Sequence, residues 1–259
     1  MKPAHRVAIM LAACAGLLGW YVWGVAGLPD FGDTVSVTGT TILHAFAGER
    51  HTTNAVTTIV FDYRGMDTLG EELILFISVV AVTLLLRERR DESEDISPEA
   101  ERAESHPRGS DAVRALGVAT VGVTVLLGLY VVTHGQLSPG GGFQGGVILA
   151  AAFMAIYAAG NFVVLRRMGP ADWMEPVEAA GAAGLALLAL GGLLAGGAFF
   201  HNFLPPGPVP STIISGGTIP LDNVAVGIEV FGAMTLLAAE FLNEAGIARV
   251  RGRSQDDEG

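Results

Sequence analysis

The sequence has little of what the surface of a soluble protein requires. Charged residues make up only 16% of its 259 residues and aromatic residues 7%, whereas hydrophobic residues reach 51%. Glycine supplies 35 positions, well above its usual share of about 7%. A single cysteine, Cys14, excludes a disulfide framework and any multi-cysteine zinc or iron–sulfur site within this chain.

Basic residues are also scarce. The 26 acids and 15 bases give a formal charge of −11, which excludes nucleic-acid binding through a basic surface. Histidines do not occur at the spacing of a zinc motif, and no nucleophile–base constellation stands out. The sequence therefore predicts neither an enzyme nor a cofactor-binding protein.

What the sequence does contain is long apolar segments. A helix needs about 20 mostly apolar residues to cross a bilayer. Six windows meet this requirement: Val7–Gly27, Thr68–Leu86, Ala112–Thr133, Phe143–Leu165, Ala179–Phe200 and Leu221–Leu242. We therefore predict an all-α, polytopic membrane protein with six transmembrane helices.

The basic residues predict the orientation of these helices. With both termini inside, thirteen of the fifteen Lys and Arg residues fall on the cytoplasmic side, and only Arg50 and Arg64 fall outside. Cytoplasmic segments of membrane proteins carry such an excess. Adding or removing one span would move Arg166 and Arg167 to the wrong side. We therefore predict cytoplasmic termini and a location in the cell membrane, the cytoplasmic membrane of a prokaryote.

A hydrophilic segment divides the chain into two modules. Residues 88–111 contain nine acids and four bases, a net charge of −5, and too little apolar surface to fold alone. We predict a two-helix membrane module at 1–87, an acidic cytoplasmic linker at 88–111, a four-helix membrane domain at 112–245 and a charged cytoplasmic tail at 246–259. One bundle with a single long loop is the alternative.

The most distinctive string, HGQLSPGGGFQGG, joins predicted helices three and four at residues 134–146. It contains a GxGxxG match, but a dinucleotide fingerprint needs a preceding strand, and both flanks here are membrane-spanning. Glycine permits tight backbone, which at this depth must be buried in protein or face water. A structural or interface motif and a conducting role both remain open for Ser138, Pro139, Gly140, Gly141, Gly142, Gln144, Gly145 and Gly146.

Acids inside predicted spans are candidates for an ion path. An ionised carboxylate in hydrocarbon is costly, so it is usually paired, protonated or functional. Glu229 lies seven residues beyond Asp222, about 10 Å along a helix. Both are candidates, with a structural pair as the alternative for Glu229. His134 is a further candidate because imidazole titrates near neutral pH, although a simple hydrogen-bonding role would also explain it.

Further acids lie near the outer end of the second predicted helix. Glu71 and Asp67, one turn apart, are candidates for a carboxylate cluster at an outer mouth. The bland explanation for Glu71 and Glu72 is a first helical turn, which stabilises negative charge. Asp62, Arg64 and Asp67 are equally well explained as an interfacial salt-bridge set.

Glycines in the fifth predicted helix indicate close packing. Gly192 and Gly196 form a GxxxG step, and Gly181 and Gly184 add further smooth surface. Such spacing lets helix backbones approach closely in membranes. We expect packing here rather than chemistry.

Three strings resemble a known family. HGQLSPGGGFQGGVILAAAF, at 134–153, resembles the signature of the B subunit (MnhB) of multisubunit Mrp-type Na+/H+ antiporters. IPLDNVAVGIEV, at 219–230, is similar to the final-helix pattern of that family. NAVTTIVFDYRGMDTLGE, at 54–71, resembles the C-terminal part of the large A-type antiporter protein, a module with a counterpart in membrane-bound hydrogenases.

The resemblance implies a membrane subunit of a cation/proton antiporter complex that contributes to assembly and to the cation path. It implies other antiporter membrane subunits as partners, Na+ and H+ as transported ions, and no metal beyond transient Na+. Two other functions remain open: a structural or coupling subunit of a complex I-like hydrogenase, and a stand-alone secondary transporter.

Overall fold

The fold is built from helices joined by turns and loops. The computed structural model describes residues 3–28, 36–87, 111–158 and 170–257. Within these ranges no strand occurs, and a short π-helical turn, Ile59–Tyr63, follows α3. The helices in chain order are α1 Pro3–Ala26, α2 Val37–Arg50, α3 Ala55–Thr58, α4 Gly65–Arg87, α5 Asp111–Thr133, α6 Gly142–Ala158, α7 Pro170–Gly196 and α8 Ile219–Asp257.

The predicted fold class, an all-α multi-pass membrane protein, is confirmed. Five helices in the described ranges are long and apolar enough to cross a membrane: Ala4–Ala26, Gly65–Leu86, Ala115–Thr133, Trp173–Gly196 and Ile219–Leu242. The fourth predicted span corresponds to a shorter apolar helix, Gly142–Ile156, and its C-terminal part lies outside the described residues. The cytoplasmic placement of both termini stays a prediction.

The chain divides into two compact units, residues 1–43 and 44–259. In the first unit, α1 presents large apolar side chains all round, including Trp20 and Trp23, which are at least 70% exposed. A helix that is apolar on every side fits lipid rather than water. The predicted linker lies outside the described residues except for Asp111, and the predicted segment boundaries stay a prediction.

In the second unit, α8 is the central helix and contacts α4, α5, α6 and α7. Its span is 61% buried, whereas the spans of the other four long helices are at most 22% buried. Antiparallel to it runs α7, with Gly184 opposite Ala225, and parallel to it runs α6, with Gly146 against Gly227. Because α4 packs on both α7 and α8, the predicted N-terminal module contacts the C-terminal one directly.

The glycine-rich segment 134–146 folds around the amide of Asn223, which is fully buried in α8. The Gly142 N–H donates to Asn223 Oδ1 at 2.9 Å, and Asn223 Nδ2 donates to the Ile219 carbonyl at 2.9 Å. A Cβ atom at Gly135 or Gly141 would overlap the Asn223 side chain. Glycine is therefore required at both positions because the backbone approaches this amide so closely.

Asn54 holds the same segment from the other side. Its Oδ1 accepts the N–H groups of Val56 and Thr57 at 3.1 and 3.3 Å, which caps α3. Its Nδ2 donates to the carbonyls of Gly135 and Ser138, both at 2.8 Å. Segment 134–146 is thus clamped between an asparagine of each predicted module.

We expect Asn54→Asp to loosen this clamp while keeping the helix cap. Aspartate caps a helix as well as asparagine does, but it loses the Nδ2 donors and leaves the two carbonyls unsatisfied. The free energy of unfolding of the purified chain, followed by helicity during SDS titration, should fall by about 1–3 kcal/mol. The matched control is Gln144→Glu, the same amide-to-acid change at an exposed position of the motif. Equal stability of both variants would contradict the prediction.

Candidate functional site

Three buried glutamates from three helices lie together in the second unit. Glu72 on α4, Glu178 on α7 and Glu229 on α8 are exposed by 3%, 1% and 0%. Glu72 and Glu178 each lie within electrostatic range of Glu229. Among the described residues, neither carboxylate oxygen of Glu229 has a hydrogen-bond partner, and one buried oxygen of each neighbour also has none. We call these three residues the glutamate cluster.

Reciprocal glycine contacts position two members of the cluster. Gly181 of α7 lies against the backbone and Cβ of Glu229, and Gly232 of α8 lies against the backbone and Cβ of Glu178. Each helix carries a glutamate followed three residues later by a glycine, and the antiparallel packing places each glutamate on the glycine opposite. Any side chain at either glycine would separate the helices. The two carboxylates are therefore buried because the backbones meet.

Only one member of the cluster was predicted from sequence. Glu229 is buried in its helix as expected. Glu178 was missed because the predicted fifth helix begins at Ala179, whereas α7 begins at Pro170 and continues through an internal proline, Pro176. The repeated Glu-x-x-Gly spacing at 178–181 and 229–232 was the signal that could have identified it.

The interpretation of Glu72 by a first helical turn is wrong. Helix α4 begins at Gly65, so Glu72 lies about two turns inside it and only Asp67 lies in the first turn. Glu71 is exposed and Glu72 is buried, although they are adjacent. Successive residues of a helix point about 100° apart, which is enough to separate the bundle interior from its surface.

The salt bridges near the start of α4 differ partly from the prediction. Arg64 pairs with Asp67, as expected, and both side chains are more than half exposed. Asp62 instead pairs with Arg50, and its side chain is only 4% exposed. Asp67 and Glu71 therefore lie on the surface of this unit, outside the glutamate cluster.

A second acidic site lies around Asp62. Tyr63 donates to Glu49 at 2.9 Å, and burial together with this bond raises the pKa of Tyr63 to about 12. Asp222, in the first turn of α8, is 1% exposed and within electrostatic range of Asp62. Asp222 thus lies between the Arg50–Asp62 ion pair and Glu229 in the order of buried acids.

His134 makes local contacts at the end of α5. Its Nδ1 lies 3.0 Å from both the Tyr130 carbonyl and Thr133 Oγ1, and its half-buried ring stacks on Tyr130 with centroids 4.2 Å apart. These contacts are those of a hydrogen-bonding group that closes a helix.

The GxxxG step of α7 serves a different contact from the one expected. A Cβ at Gly192 would lie 2.6 Å from the backbone nitrogen of His201, and a Cβ at Gly196 would overlap the His201 ring. These two glycines therefore make room for the loop after α7, not for a neighbouring helix. Gly181 and Gly184 do pack against α8, as predicted.

The chemistry available to the glutamate cluster is limited. In the part of the chain that the structure describes, no group of three His, Cys, Asp or Glu side chains has the geometry of a metal site. The ion pairs Arg50–Asp62 and Arg64–Asp67 both lie outside the cluster. Carboxylates without a basic partner in a water-poor interior are suited to holding protons.

The apolar helices and buried acids define a multi-pass membrane subunit. Residues 113–236 match the family model described as a domain related to the MnhB subunit of Na+/H+ antiporters, and residues 5–103 match the model of MbhE, a subunit of MBH. The chain belongs to the MnhB-related family and carries an MbhE-type module before the MnhB-related domain.

Two curated relatives share this sequence. The uncharacterized protein MJ1307 of Methanocaldococcus jannaschii is 31% identical over 199 residues, which cover 71% of this chain and 75% of that protein. A probable K+/H+ antiporter protein of the A/B type from Rhizobium meliloti is 32% identical over 141 residues, which cover 48% of this chain but 14% of that protein.

Two solved complexes contain a similar fold. A chain of the membrane-bound sulfane sulfur reductase (MBS), an archaeal respiratory membrane complex, is 27% identical with a TM-score of 0.67 over 93% of this chain and 99% of that one. A chain of the Mrp complex from Dietzia sp. DQ12-45-1b is 24% identical with a TM-score of 0.69 over 93% of this chain and 26% of that one. The same arrangement of helices thus occurs in both kinds of complex.

We expect Gly181→Ala to destabilise the protein by about 1–3 kcal/mol, because the new methyl group collides with the backbone of Glu229. Gly184→Ala, one turn further along α7, is the control. Its methyl group would lie at an ordinary 3.5 Å from Ala225 Cβ, and alanine is the better helix former by about 1 kcal/mol. SDS titration of the two purified variants would contradict this interpretation if Gly184→Ala lost as much stability as Gly181→Ala.

Proposed function

We propose that this chain is a membrane subunit of a multisubunit cation/proton antiporter, in which it contributes to assembly and to the ion path. The observation that carries the proposal is Glu229, a fully buried carboxylate with no hydrogen-bond partner among the described residues, within a domain related to the MnhB antiporter protein. The antiporter named for the Rhizobium meliloti relative and the Mrp complex that shares the fold support the same class of assembly.

The ion-path part of the proposal has a physical basis. Keeping an unpaired carboxylate in the membrane interior is costly, so such a group is usually kept for function. Asp222 and the Arg50–Asp62 pair extend the series of acids from Glu229 along the unit. Asp67, Glu71 and His134 remain proposed members of an outer entrance. We propose no enzymatic activity and no cofactor, and Na+ would bind only in transit.

We also propose a division of labour between the modules. The MbhE-type module contributes Glu72, and the MnhB-related domain contributes Glu178 and Glu229. Segment 134–146 would hold the modules in register through Asn54 and Asn223. The partners would be other membrane subunits that cover the exposed apolar helices, in the cytoplasmic membrane of a prokaryote.

We expect Glu229→Gln, expressed with the partner subunits, to abolish cation-dependent proton exchange in inverted vesicles, because an amide cannot release and rebind a proton. The control is Glu49→Gln, the same change at an exposed glutamate that hydrogen-bonds Tyr63. Both variants should co-purify with partner subunits as the wild type does. Normal exchange by an assembled Glu229→Gln complex would remove Glu229 from the ion path.

A second candidate is a coupling subunit of a redox-driven respiratory membrane complex. The specific observation in its favour is that this chain covers 99% of a chain of the sulfane sulfur reductase complex, with both modules on one polypeptide. The match to MbhE agrees with it. The same glutamates would then take part in ion movement driven by a redox reaction.

Purification in mild detergent separates the two candidates. An antiporter subunit should bring with it several membrane proteins and no redox centres, whereas a respiratory subunit should bring iron–sulfur or nickel-containing partners. Mass spectrometry and metal analysis of the purified material measure both. A chain that purifies alone and transports ions in liposomes would contradict both candidates and favour a stand-alone transporter.

A further inference from the structure

The glutamate cluster joins the two modules. Glu72 comes from the MbhE-type module and Glu178 from the MnhB-related domain, and each lies within electrostatic range of Glu229, which is 0% exposed. Both oxygens of Glu229 are without a hydrogen-bond partner among the described residues. Glu229 is therefore the common neighbour of a carboxylate from each module.

We propose that the glutamate cluster is a shared proton site, in which Glu229 exchanges a proton with Glu72 on one side and Glu178 on the other, and that it excludes the transported metal cation. This inference rests on the proposed function, since it specifies which of the two exchanged ions the site takes. Na+ is a hard cation and needs several oxygens that converge on one point.

The geometry favours a proton over a cation. No three acidic side chains of the described residues converge closely enough to hold a metal ion. The contacts of Glu229 with Gly181 and of Glu178 with Gly232 already bring α7 and α8 together, so the helices have no room to bring the carboxylates closer. A proton needs only one donor and one acceptor at a time.

The charged groups around Glu229 agree with this proposal. Helix α4 presents Glu72, which in turn interacts with Glu71, and α7 presents Glu178, which in turn interacts with Glu175. Helix α6 contains no acidic, basic or histidine residue along Gly142–Ala158. The neighbours of Glu229 are thus carboxylates, and like charges that share a dry site favour retention of a proton among them.

The transfer step is balanced within the cluster. An O–H bond of one carboxylic acid breaks as an O–H bond forms on the neighbouring carboxylate, so the negative charge moves opposite to the proton. Rotation of the Glu229 side chain brings its unpartnered oxygens toward either neighbour. The site therefore passes protons between the modules without a co-reactant.

Carbodiimide labelling of the assembled complex tests the proposal. Dicyclohexylcarbodiimide is apolar and modifies only protonated carboxyl groups, and peptide mass spectrometry identifies the modified residue. We expect Glu229 to be labelled, the labelling to decrease as pH rises, and Na+ at constant ionic strength to give no protection. Protection by Na+ would overturn the proposal, because it would show that a cation displaces the proton.

Variants of the neighbours test whether the proton is shared. In Glu72→Gln and in Glu178→Gln the midpoint pH for labelling of Glu229 should fall by about one unit, because a negative neighbour that opposes ionisation is gone. Glu49→Gln, at an exposed position, should leave the midpoint unchanged. An unchanged midpoint in both cluster variants would overturn the proposal.

Infrared spectroscopy provides the second measurement. The carbonyl band of a protonated carboxylic acid should be present in the wild-type complex and reduced in Glu229→Gln, and absence of both this band and the labelling would overturn the proposal. If labelling behaves as expected but Glu229→Gln exchanges ions normally, the cluster holds protons and the proposed ion-path role fails. The two failures are therefore distinguishable.

Discussion

The close approach of α7 and α8 at their two glutamate–glycine contacts is the constraint on which the rest of the second unit depends. Glu178 rests on Gly232 and Glu229 rests on Gly181, so the backbones meet where two carboxylates are buried. A membrane offers no hydrophobic force to press apolar helices together, and small residues that permit dense packing take its place. The same packing that stabilises the bundle therefore also removes these carboxylates from water.

The segment 134–146 extends this constraint to the other helices. It carries backbone groups that a membrane protein must satisfy internally, and the amides of Asn54 and Asn223 take up several of them. One asparagine precedes α4 and the other lies in α8, so α4 is held where Glu72 can interact with Glu229. A glycine-rich motif without a reactive side chain thus influences the electrostatics of the site.

Much of the fold was predictable from sequence, because hydrophobic length is a local property. The apolar windows located the spans, and the cost of a buried charge singled out Glu229 and Asp222. Helix starts were less predictable, since polar residues such as Glu178 and the turn before Glu72 extend α7 and α4 beyond their apolar windows. The family resemblance also followed from local strings, and the matches at 5–103 and 113–236 agree with it.

The sequence by itself determined that the chain crosses the membrane several times, that its charge is mostly acidic, and that a few acids lie within apolar segments. Only the tertiary structure decided which of these acids meet. Glu71 and Glu72 are adjacent in sequence, yet one is exposed and the other is buried near Glu229. The physical reason is that the face a helix buries depends on partners far along the chain, here glycines that admit a glutamate from the opposite helix.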